Sequence, residues 1–466
     1  MNQAEYYRDP EVRERIAEYC GGSAMEPELC TAEYMVGYGQ AVDQPGGYVS
    51  TPKEGFTWLL DNGLDIFRSI WDKNHTLGVL DVEYVNMDFP GQVYLHPRDT
   101  FRRLEAIYEV ILGVFDRFEI QPMVNVTGQG YHFSFQIQSA TRADLRLEKI
   151  GRLIESVRAK YESSGSKRHR PVSSRHGLSY DGMGRVMEYL AHAIIMESEG
   201  KVELPITITD VAVGNGEKGR EAISLDLSCF GDPIFMRDLR CPFSTHQKHK
   251  MDVWKVGKTI SEDTPIQVAI PRKNIDLDRV FDLRRNFEAA AAFAGDVHCF
   301  IPDYSVNFNK VIDEYLESRL SRFHRWFDSV EQDHWKEWDR TYRSMDLRVL
   351  PPCARQPLIR PNDNLLKPTN LQTITRCLLA RGWHPKHIAG LVRAKWEGNH
   401  GWGDLWSQFD AGSRSSFYVR MFSGLIGDGT DRLLDHNCIS HQEKGFCIQP
   451  NCGYNLADYR CDVRFP

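Results

Sequence analysis

Strand periodicity dominates the first half of the chain and helical periodicity the second half. Residues 76–85, TLGVLDVEYV, are apolar and β-branched, which predicts a strand. Residues 121–138 predict two short strands broken by a glycine turn, and in the second strand Tyr131, Phe133, Phe135 and Ile137 alternate with polar residues. Apolar residues recur at helical spacing over 99–118, with Asp99 as the expected N-cap. The remaining predictions are strands over 203–213 and 220–229, and helices over 141–161, near 183–198, from 277 to about 345 and within 371–396.

A proline-rich stretch divides this pattern. Residues 349–364 contain four prolines, which predicts a linker. The length of 466 residues is typical of two or three domains. We therefore predict an α/β (α+β) protein with a first domain over 1–348, comprising a core over 76–250 and a helical extension over 277–345. A helical accessory domain over 365–466 follows the linker.

Composition narrows the class of protein. Charged residues make up 26% of the chain and the formal net charge is −7, so bulk positive charge cannot be the basis of nucleic-acid binding. The chain has no run of 18 apolar residues, which excludes a predicted membrane-spanning helix. Its first residues are polar and charged and do not resemble a signal peptide. We expect a protein that is not secreted and is cytoplasmic, or nuclear in a eukaryote.

Acidic residues on two predicted strands are the first candidates for chemistry. Asp81 and Glu83 share one face of strand 76–85, and Val82 faces the other way. Such a carboxylate pair suits Mg²⁺ or Mn²⁺, although a solvated strand edge has the same pattern. Asp226 is a lone acid in ISLDLSC, where an ordinary polar-face residue is the alternative. Asp276 and Asp278 repeat the acidic spacing at a predicted helix start and are taken as a chance match.

Two further segments carry residue types that bind phosphate. In TGQGYHF, the glycines permit a tight turn whose backbone amides, together with a hydroxyl and an imidazole, could bind phosphate. A plain hairpin turn is the alternative. Segment 237–250, RDLRCPFSTHQKHK, is basic, as solvated loops also are. A third glycine-rich segment, GNGEKG (214–219), is followed by a strand, so we predict a β-hairpin turn there. The candidate phosphate-binding residues are Thr127, Gly128, Gly130, His132, Arg237, Arg240, Ser244, His246 and Lys248.

The order of these motifs resembles that of the archaeo-eukaryotic primase, or primase–polymerase, superfamily. That family has a D-x-D or D-x-E motif, a G-x-G-x-H turn, a strand acid and then a stretch like L-x-x-P-F-S-x-H-x-K, which match residues within roughly 30–255. Thr127 stands where serine is usual, and Gln129 where some relatives carry a basic residue. Relatives often carry a zinc knuckle in the catalytic region, but the loop 163–176 has no cysteine, so no metal is assigned there.

The resemblance implies a mostly antiparallel, RRM-like sheet and template-directed nucleotidyl transfer by a DNA primase or DNA polymerase. Asp81, Glu83 and Asp226 are then the catalytic ligands of two Mg²⁺ or Mn²⁺ ions, and the phosphate-binding residues hold a nucleoside triphosphate. The implied partners are a single-stranded DNA template and nucleoside triphosphates. De novo priming and primer extension both stay open, as do ribo- and deoxynucleotide use. A metal-dependent nuclease and a non-catalytic nucleic-acid-binding relative are the rival interpretations.

Two more segments complete the expected set. Lys167, Arg168 and Arg170 lie in a loop without acids, which favours DNA-backbone contact or, equally, simple solvation. In the tail, Cys438, His441, Cys447 and Cys452 have the spacing C-x₂-H-x₅-C-x₄-C, which predicts a structural Zn²⁺ site. An iron–sulfur cluster with Cys461 as a fourth sulfur ligand, and a metal-free tail, are the alternatives.

Overall fold

The computed structural model describes residues 1–42, 47–155, 158–159, 173–209, 221–231, 238–361, 365–398 and 410–460. Nineteen α-helices and twelve strands lie in these ranges, and the α+β prediction is confirmed. The strands are β1 (Met35–Tyr38), β2 (Tyr48–Thr51), β3 (Asp65–Ser69), β4 (His75–Asn86), β5 (Met123–Val126), β6 (Gly130–Gln138), β7 (Ile206–Ile208), β8 (Glu221–Asp226), β9 (Asp238–Arg240), β10 (Thr245–His246), β11 (Gln267–Val268) and β12 (Ile270–Pro271).

Helices flank the strands and make up most of the second half. Those before residue 300 are α1 (Gln3–Tyr6), α2 (Pro10–Tyr19), α3 (Phe56–Asp61), α4 (Gln92–Leu95), α5 (Pro97–Asp116), α6 (Arg142–Ile150), α7 (Ser174–Glu197), α8 (Lys248–Met251), α9 (Val253–Val256), α10 (Lys258–Asp263), α11 (Leu277–Arg284) and α12 (Phe287–Ala294). Those after it are α13 (Phe308–Glu317), α14 (Arg319–Asp328), α15 (Pro352–Ile359), α16 (Pro368–Leu379), α17 (Pro385–Trp396), α18 (Ala411–Asp428) and α19 (Cys438–Glu443).

The central element is a six-stranded sheet in the order β12-β5-β6-β4-β8-β7. Its long strands β4 and β6 are antiparallel neighbours, and β8 lies antiparallel on the other side of β4. The edge strand β7 pairs with β8 in the parallel direction. The described strands β7 and β8 therefore do not pair with each other as a hairpin, because the two strands of a hairpin are antiparallel. Residues 214–219 themselves lie outside the described ranges.

Alternation along β6 decides which face of this sheet is buried under α5. Tyr131, Phe133 and Phe135 are buried, and the rings of Phe101 and Phe115 from α5 pack edge-on against Tyr131 and Phe135. The intervening residues of β6, among them His132 and Ser134, face the opposite side. Helix α5 begins at Pro97 with His96 as its N-cap, so Asp99 lies in its first turn and not at its cap as predicted.

A second, four-stranded sheet in the order β2-β1-β3-β9 lies beside the first. It is joined to the central sheet through β5, where the Asn125 side-chain amide donates to the Arg240 carbonyl at 3.0 Å. The short β10–β11 pair then links the loop after β9 to the strand pair β5–β12. This arrangement brings residues 241–250 to the polar side of the central sheet.

Residues 277–460, as far as the structure describes them, contain helices but no strand. The predicted linker 349–364 includes helix α15, whose Ala354 and Leu358 are buried. Proline is tolerated in the first turn of a helix, so Pro352 at its start is compatible with this. One hydrophobic core runs from Tyr6 to Tyr459 and includes residues of both predicted domains. Among the described helices, none is long and apolar enough to cross a membrane.

Candidate active site

Strand β4 presents its two acids on the polar side of the central sheet. Leu80, Val82 and Tyr84 are buried in the core, whereas Asp81 and Glu83 are partly exposed. This follows from the alternation of the sequence, since successive side chains of a strand point to opposite faces. The side chain of Asp81 is 26% exposed. Both acids therefore remain accessible on a rigid strand.

Strand β8 places Asp226 directly opposite Asp81 in the antiparallel register. Directly opposite residues of antiparallel strands share a face, with Cβ atoms about 5 Å apart. The carboxylate of Asp226 is fixed by Ser228, whose backbone N–H donates to Oδ1 at 2.8 Å and whose hydroxyl donates to Oδ2 at 2.9 Å. Two acids that are distant in sequence thus form one carboxylate pair.

Strand β6 places His132 opposite Asp81 on the other side of β4. His132, Asp81 and Asp226 thus form a row across three strands, with a distance of 3.5 Å between His132 Nε2 and Asp81 Oδ1. Burial, reinforced by the charges of Arg240 and Lys248, lowers the pKa of His132 to about 3. The contact with Asp81 therefore joins a carboxylate to a neutral ring. The ring nitrogen Nδ1 of His132 has no hydrogen-bond partner among the described residues.

The next row toward the end of β4 consists of Gly130, Glu83 and Ser224. Here β6 comes so close to β4 that a Cβ on Gly130 would overlap the carbonyl oxygen of Val82. Thr127 closes the turn before β6, because its N–H and its hydroxyl both donate to the Gly130 carbonyl, at 2.8 and 3.2 Å. Glycine at 130 is thus required by the backbone, and the Thr127 hydroxyl is used within the turn.

The loop after β9 lies against this turn. A Cβ on Gly128 would overlap the ring of His246, so the imidazole packs directly on the turn. Lys248 donates from Nζ to the side-chain oxygen of Gln129 at 3.0 Å, although 119 positions separate the two residues. Burial, with the nearby charge of Arg240, lowers the pKa of His246 well below its usual value. His246 Nδ1, like His132 Nδ1, lacks a hydrogen-bond partner among the described residues.

Two other residues of the predicted phosphate-binding set are buried and bonded to other parts of the chain. Ser244 is fully buried; its hydroxyl accepts from the Ile66 N–H at 2.6 Å and donates to the Thr245 carbonyl at 3.1 Å. Arg240 is buried beside Asp65, at 2.8 Å, and its guanidinium lies 4.4 Å from the centre of the Phe67 ring. Both side chains connect the loop to the second sheet. The predicted residues Lys167, Arg168, Arg170 and Arg237 lie outside the described ranges.

Sequence reasoning missed two residues that position the site. Asn125 is buried in β5 opposite His132, and its side-chain oxygen has no hydrogen-bond partner in the described part of the chain. A single amide in the apolar strand MVNV was the available signal. Ser228 orients Asp226, and the spacing Asp-x-Ser at the end of a strand was its signal, because such hydroxyls often bond locally in turns.

The tail brings part of the predicted zinc ligands together. The thiols of Cys438 and Cys452 both lie near the Tyr454 carbonyl oxygen, at 3.7 and 4.0 Å. Cys447 is a free thiol as well, whereas His441 is buried against the Phe446 ring, and burial lowers its pKa to about 4. Cys461 lies outside the described residues.

Neither the predicted Mg²⁺ or Mn²⁺ ligands nor the predicted Zn²⁺ ligands form a complete metal-binding group among the described residues. Within the ranges that the structure describes, no three His, Cys, Asp or Glu side chains form a group that could hold one ion. Asp81 and Asp226 provide two carboxylates in one row, and Glu83 lies in the next. Oxygen donors of this kind are those that Mg²⁺ and Mn²⁺ prefer, so the chemistry of the donors fits. No protein-family model, curated protein or solved structure matches the chain.

Proposed function

We propose that the protein is a template-directed nucleotidyltransferase, a DNA primase or DNA polymerase with a core of the primase–polymerase type. The observation that carries the proposal is the register of β6, β4 and β8. It places His132, Asp81 and Asp226 side by side. Beside this row, the G-x-G turn contacts His246 and Lys248. An acid pair flanked by phosphate-binding groups is what transfer of a nucleotide to a 3′-hydroxyl requires.

The acids would hold the metal ions of the reaction. Asp81, Glu83 and Asp226 would bind two Mg²⁺ or Mn²⁺ ions, which supply charge stabilisation for the attacking and leaving oxygens. Ser228 keeps the Asp226 carboxylate in place through two hydrogen bonds. These acids need no side-chain nucleophile beside them, because the attacking group is the hydroxyl of the primer or first nucleotide.

The turn and the loop would hold the triphosphate. Lys248 provides a positive charge beside the turn, and the buried Nδ1 atoms of His132 and His246 have no hydrogen-bond partner among the described residues. A neutral imidazole can donate one hydrogen bond to a phosphate oxygen, and such fixed donors orient the group for in-line attack. Because Gly128 has no side chain, the ring of His246 can pack directly against the turn.

The test is incubation with single-stranded DNA, labelled nucleoside triphosphates and Mg²⁺ or Mn²⁺, with and without a primer. We expect labelled strands that are longer than the input and one pyrophosphate for each nucleotide incorporated. Shortened DNA without pyrophosphate release would instead support the metal-dependent nuclease. DNA binding with neither product would support the non-catalytic relative.

We further propose that the tail holds one structural Zn²⁺ through Cys438, His441, Cys447 and Cys452. The support is the spacing of these residues and the convergence of the Cys438 and Cys452 thiols on one carbonyl. His441 must turn from its contact with Phe446 to join them. A closed four-ligand site of this type would stabilise the tail without taking part in the chemistry.

A further inference from the structure

An exposed tryptophan follows Lys248 of the candidate site by six positions in the chain. Trp254 on α9 is 85% exposed, whereas Trp71, Trp338 and Trp396 are buried. No ring contact joins Trp254 to another described residue. Exposing a large aromatic ring forgoes the hydrophobic gain of burial, so an indole held in solvent beside a functional site indicates a contact surface.

The backbone that carries Trp254 is anchored on both sides. Val256 and Ile260 are buried, and a Cβ on Gly91 would lie 3.1 Å from the Val256 carbonyl oxygen. At the other end, Lys248 is bonded to Gln129 in the turn of the candidate site. Trp254 is therefore presented by a fixed segment that begins at the site itself.

A second aromatic ring borders the same segment. Tyr48, the first residue of β2, is 41% exposed and packs on Tyr38 with ring centres 4.4 Å apart. Its neighbour Gly47 lies against Met251 of α8. Tyr48 thus lies near the same stretch of chain from which Trp254 projects.

The charge of this segment is opposite to that of the whole chain. Residues 248–258 contain four lysines and one acid, Asp252, in a protein of net charge −7. The ammonium of Lys250 is bonded to the Ser261 and Glu262 carbonyls. Lys255 and Lys258 are exposed, and Lys258 forms a solvent-exposed ion pair with Glu262 at 3.7 Å. Positive charge interleaved with aromatic rings is the combination by which proteins hold unpaired nucleic-acid strands, since bases stack and phosphates pair with lysines.

We propose that Tyr48, Trp254, Lys255 and Lys258 form a stacking surface that binds unpaired bases of a single-stranded DNA template as it approaches the carboxylate row. The choice of DNA rests on the proposed function, whereas the surface itself rests on the contacts above. The exposed rings of Tyr48 and Trp254 stack on bases, and the two lysines neutralise phosphates. Strand binding of this kind is independent of base sequence and strongly dependent on salt.

The experiment measures binding of a fluorescent oligothymidine by anisotropy, without nucleotides and without added Mg²⁺ or Mn²⁺. Trp254→Ala should raise the Kd at least about fivefold, because one stacked base is lost. Lys255→Ala should reduce the slope of log K against log salt by about one phosphate contact. Trp335→Ala is the matched control, since Trp335 is also exposed, at 63%, and also adjoins a lysine. It should leave the Kd unchanged.

Two comparisons make the result decisive. Tyr48→Phe should retain binding and Tyr48→Ala should weaken it, because stacking needs the ring and not the hydroxyl. Equal Kd values for wild type and Trp254→Ala, in variants with unchanged melting temperature, would overturn the stacking surface. Because no catalysis is measured, loss of binding in Trp254→Ala would support this surface even if nucleotide incorporation were never observed.

Discussion

Asp81 is the residue on which the candidate site depends most, because it is opposite His132 on one neighbouring strand and Asp226 on the other. Its partnership with Glu83 was predictable, since alternation alone places both acids on one face. Its partnership with Asp226 was not, because the register between strands far apart in sequence is set by tertiary packing. For Ser244, the local sequence was misleading. A polar residue in a basic loop suggested phosphate binding, but its buried hydroxyl accepts a hydrogen bond from the Ile66 amide.

Removing the charge of a site acid should abolish nucleotide incorporation. Asp226→Asn should lower the rate by a factor on the order of 10³, because charge stabilisation of the reacting oxygens is lost. Ser228→Ala should lower the rate about tenfold, since it removes one of the two hydrogen bonds to that carboxylate. Rates of primer extension measure both. Asp278→Asn, at an exposed acid paired with Arg98, is the control and should be as active as wild type.

The loop residues should separate nucleotide binding from stability. His246→Ala and Lys248→Ala should each weaken nucleotide binding by about 1.5–3 kcal/mol, because each contributes a bond to the charged triphosphate. Ser244→Ala should instead lower the free energy of unfolding by about 1–3 kcal/mol, because the Ile66 amide loses its buried partner. Calorimetric titration with nucleotide and urea unfolding distinguish the two effects. Unchanged nucleotide affinity in both His246→Ala and Lys248→Ala would remove the loop from the site.

At the scale of whole elements, β4, β5, β6 and β8 were predictable from alternation, and α5 from its apolar spacing. The direction of β7 was not, because a short apolar segment pairs equally well in either direction. Helix α15 was missed because prolines usually end helices, whereas here Pro352 occupies the first turn. In each case the tertiary contact outweighed the local signal.

The turn between β5 and β6 gives the element-scale prediction. Gly130→Ala should destabilise the protein by several kcal/mol, because the new methyl group overlaps the Val82 carbonyl and forces β6 away from β4. Gly113→Ala is the matched control: nothing lies within 4 Å of a Cβ in that part of α5, so it should stabilise by about 0.5–1 kcal/mol. Urea denaturation measures both. Equal stabilities for the two variants would contradict the close approach of the strands.

The tail gives a second prediction at this scale. Elemental analysis of protein purified without chelators should find close to one zinc per chain. The double variant Cys447→Ser, Cys452→Ser should contain none, and its tail should become sensitive to protease because the metal no longer holds it. Zinc-free wild-type protein, or a brown preparation containing iron, would show the assignment to be wrong.

Across the whole molecule, buried charges join the core to the helices that follow it. Glu188 of α7 contacts His324 of α14 and Arg420 of α18, both at 3.2 Å. His324 and Arg420 together hold the pKa of Glu188 at about 2, below its usual value, despite the opposing effect of burial. Burial lowers the pKa of His324 to about 4. The continuous core and this cluster make the halves interdependent, which a proline-based domain boundary did not anticipate.

This cluster should determine part of the acid stability. The depressed pKa of Glu188 contributes stability that is fully present above about pH 4.5 and is lost as the pH falls toward 2. Protonation of His324 acts in the same direction below about pH 6.5. Glu188→Gln should therefore lower the free energy of unfolding by about 3–5 kcal/mol at pH 7. On acidification, the free energy of unfolding of this variant should fall less steeply than that of wild type. Urea unfolding from pH 3 to 8 measures this.

The control for this prediction is Glu197→Gln, because Glu197 is a half-exposed acid on the same helix that pairs with Arg117 and Lys201. Exposed pairs contribute little, so its free energy of unfolding should stay within about 1 kcal/mol of wild type. A Glu188→Gln variant with the same acid sensitivity as wild type would contradict the role of the buried cluster.

Template dependence tests the central proposal most directly. The measurement is extension of one primer on templates that differ only in the first unpaired base, with a single labelled nucleotide in each reaction and Mg²⁺ or Mn²⁺ present. We predict incorporation only of the nucleotide complementary to that base, with pyrophosphate released, and a rate lower by a factor on the order of 10³ for Asp226→Asn. Absence of incorporation on every template by folded, DNA-binding wild-type protein, or incorporation by Asp226→Asn at close to the wild-type rate, would contradict this proposal.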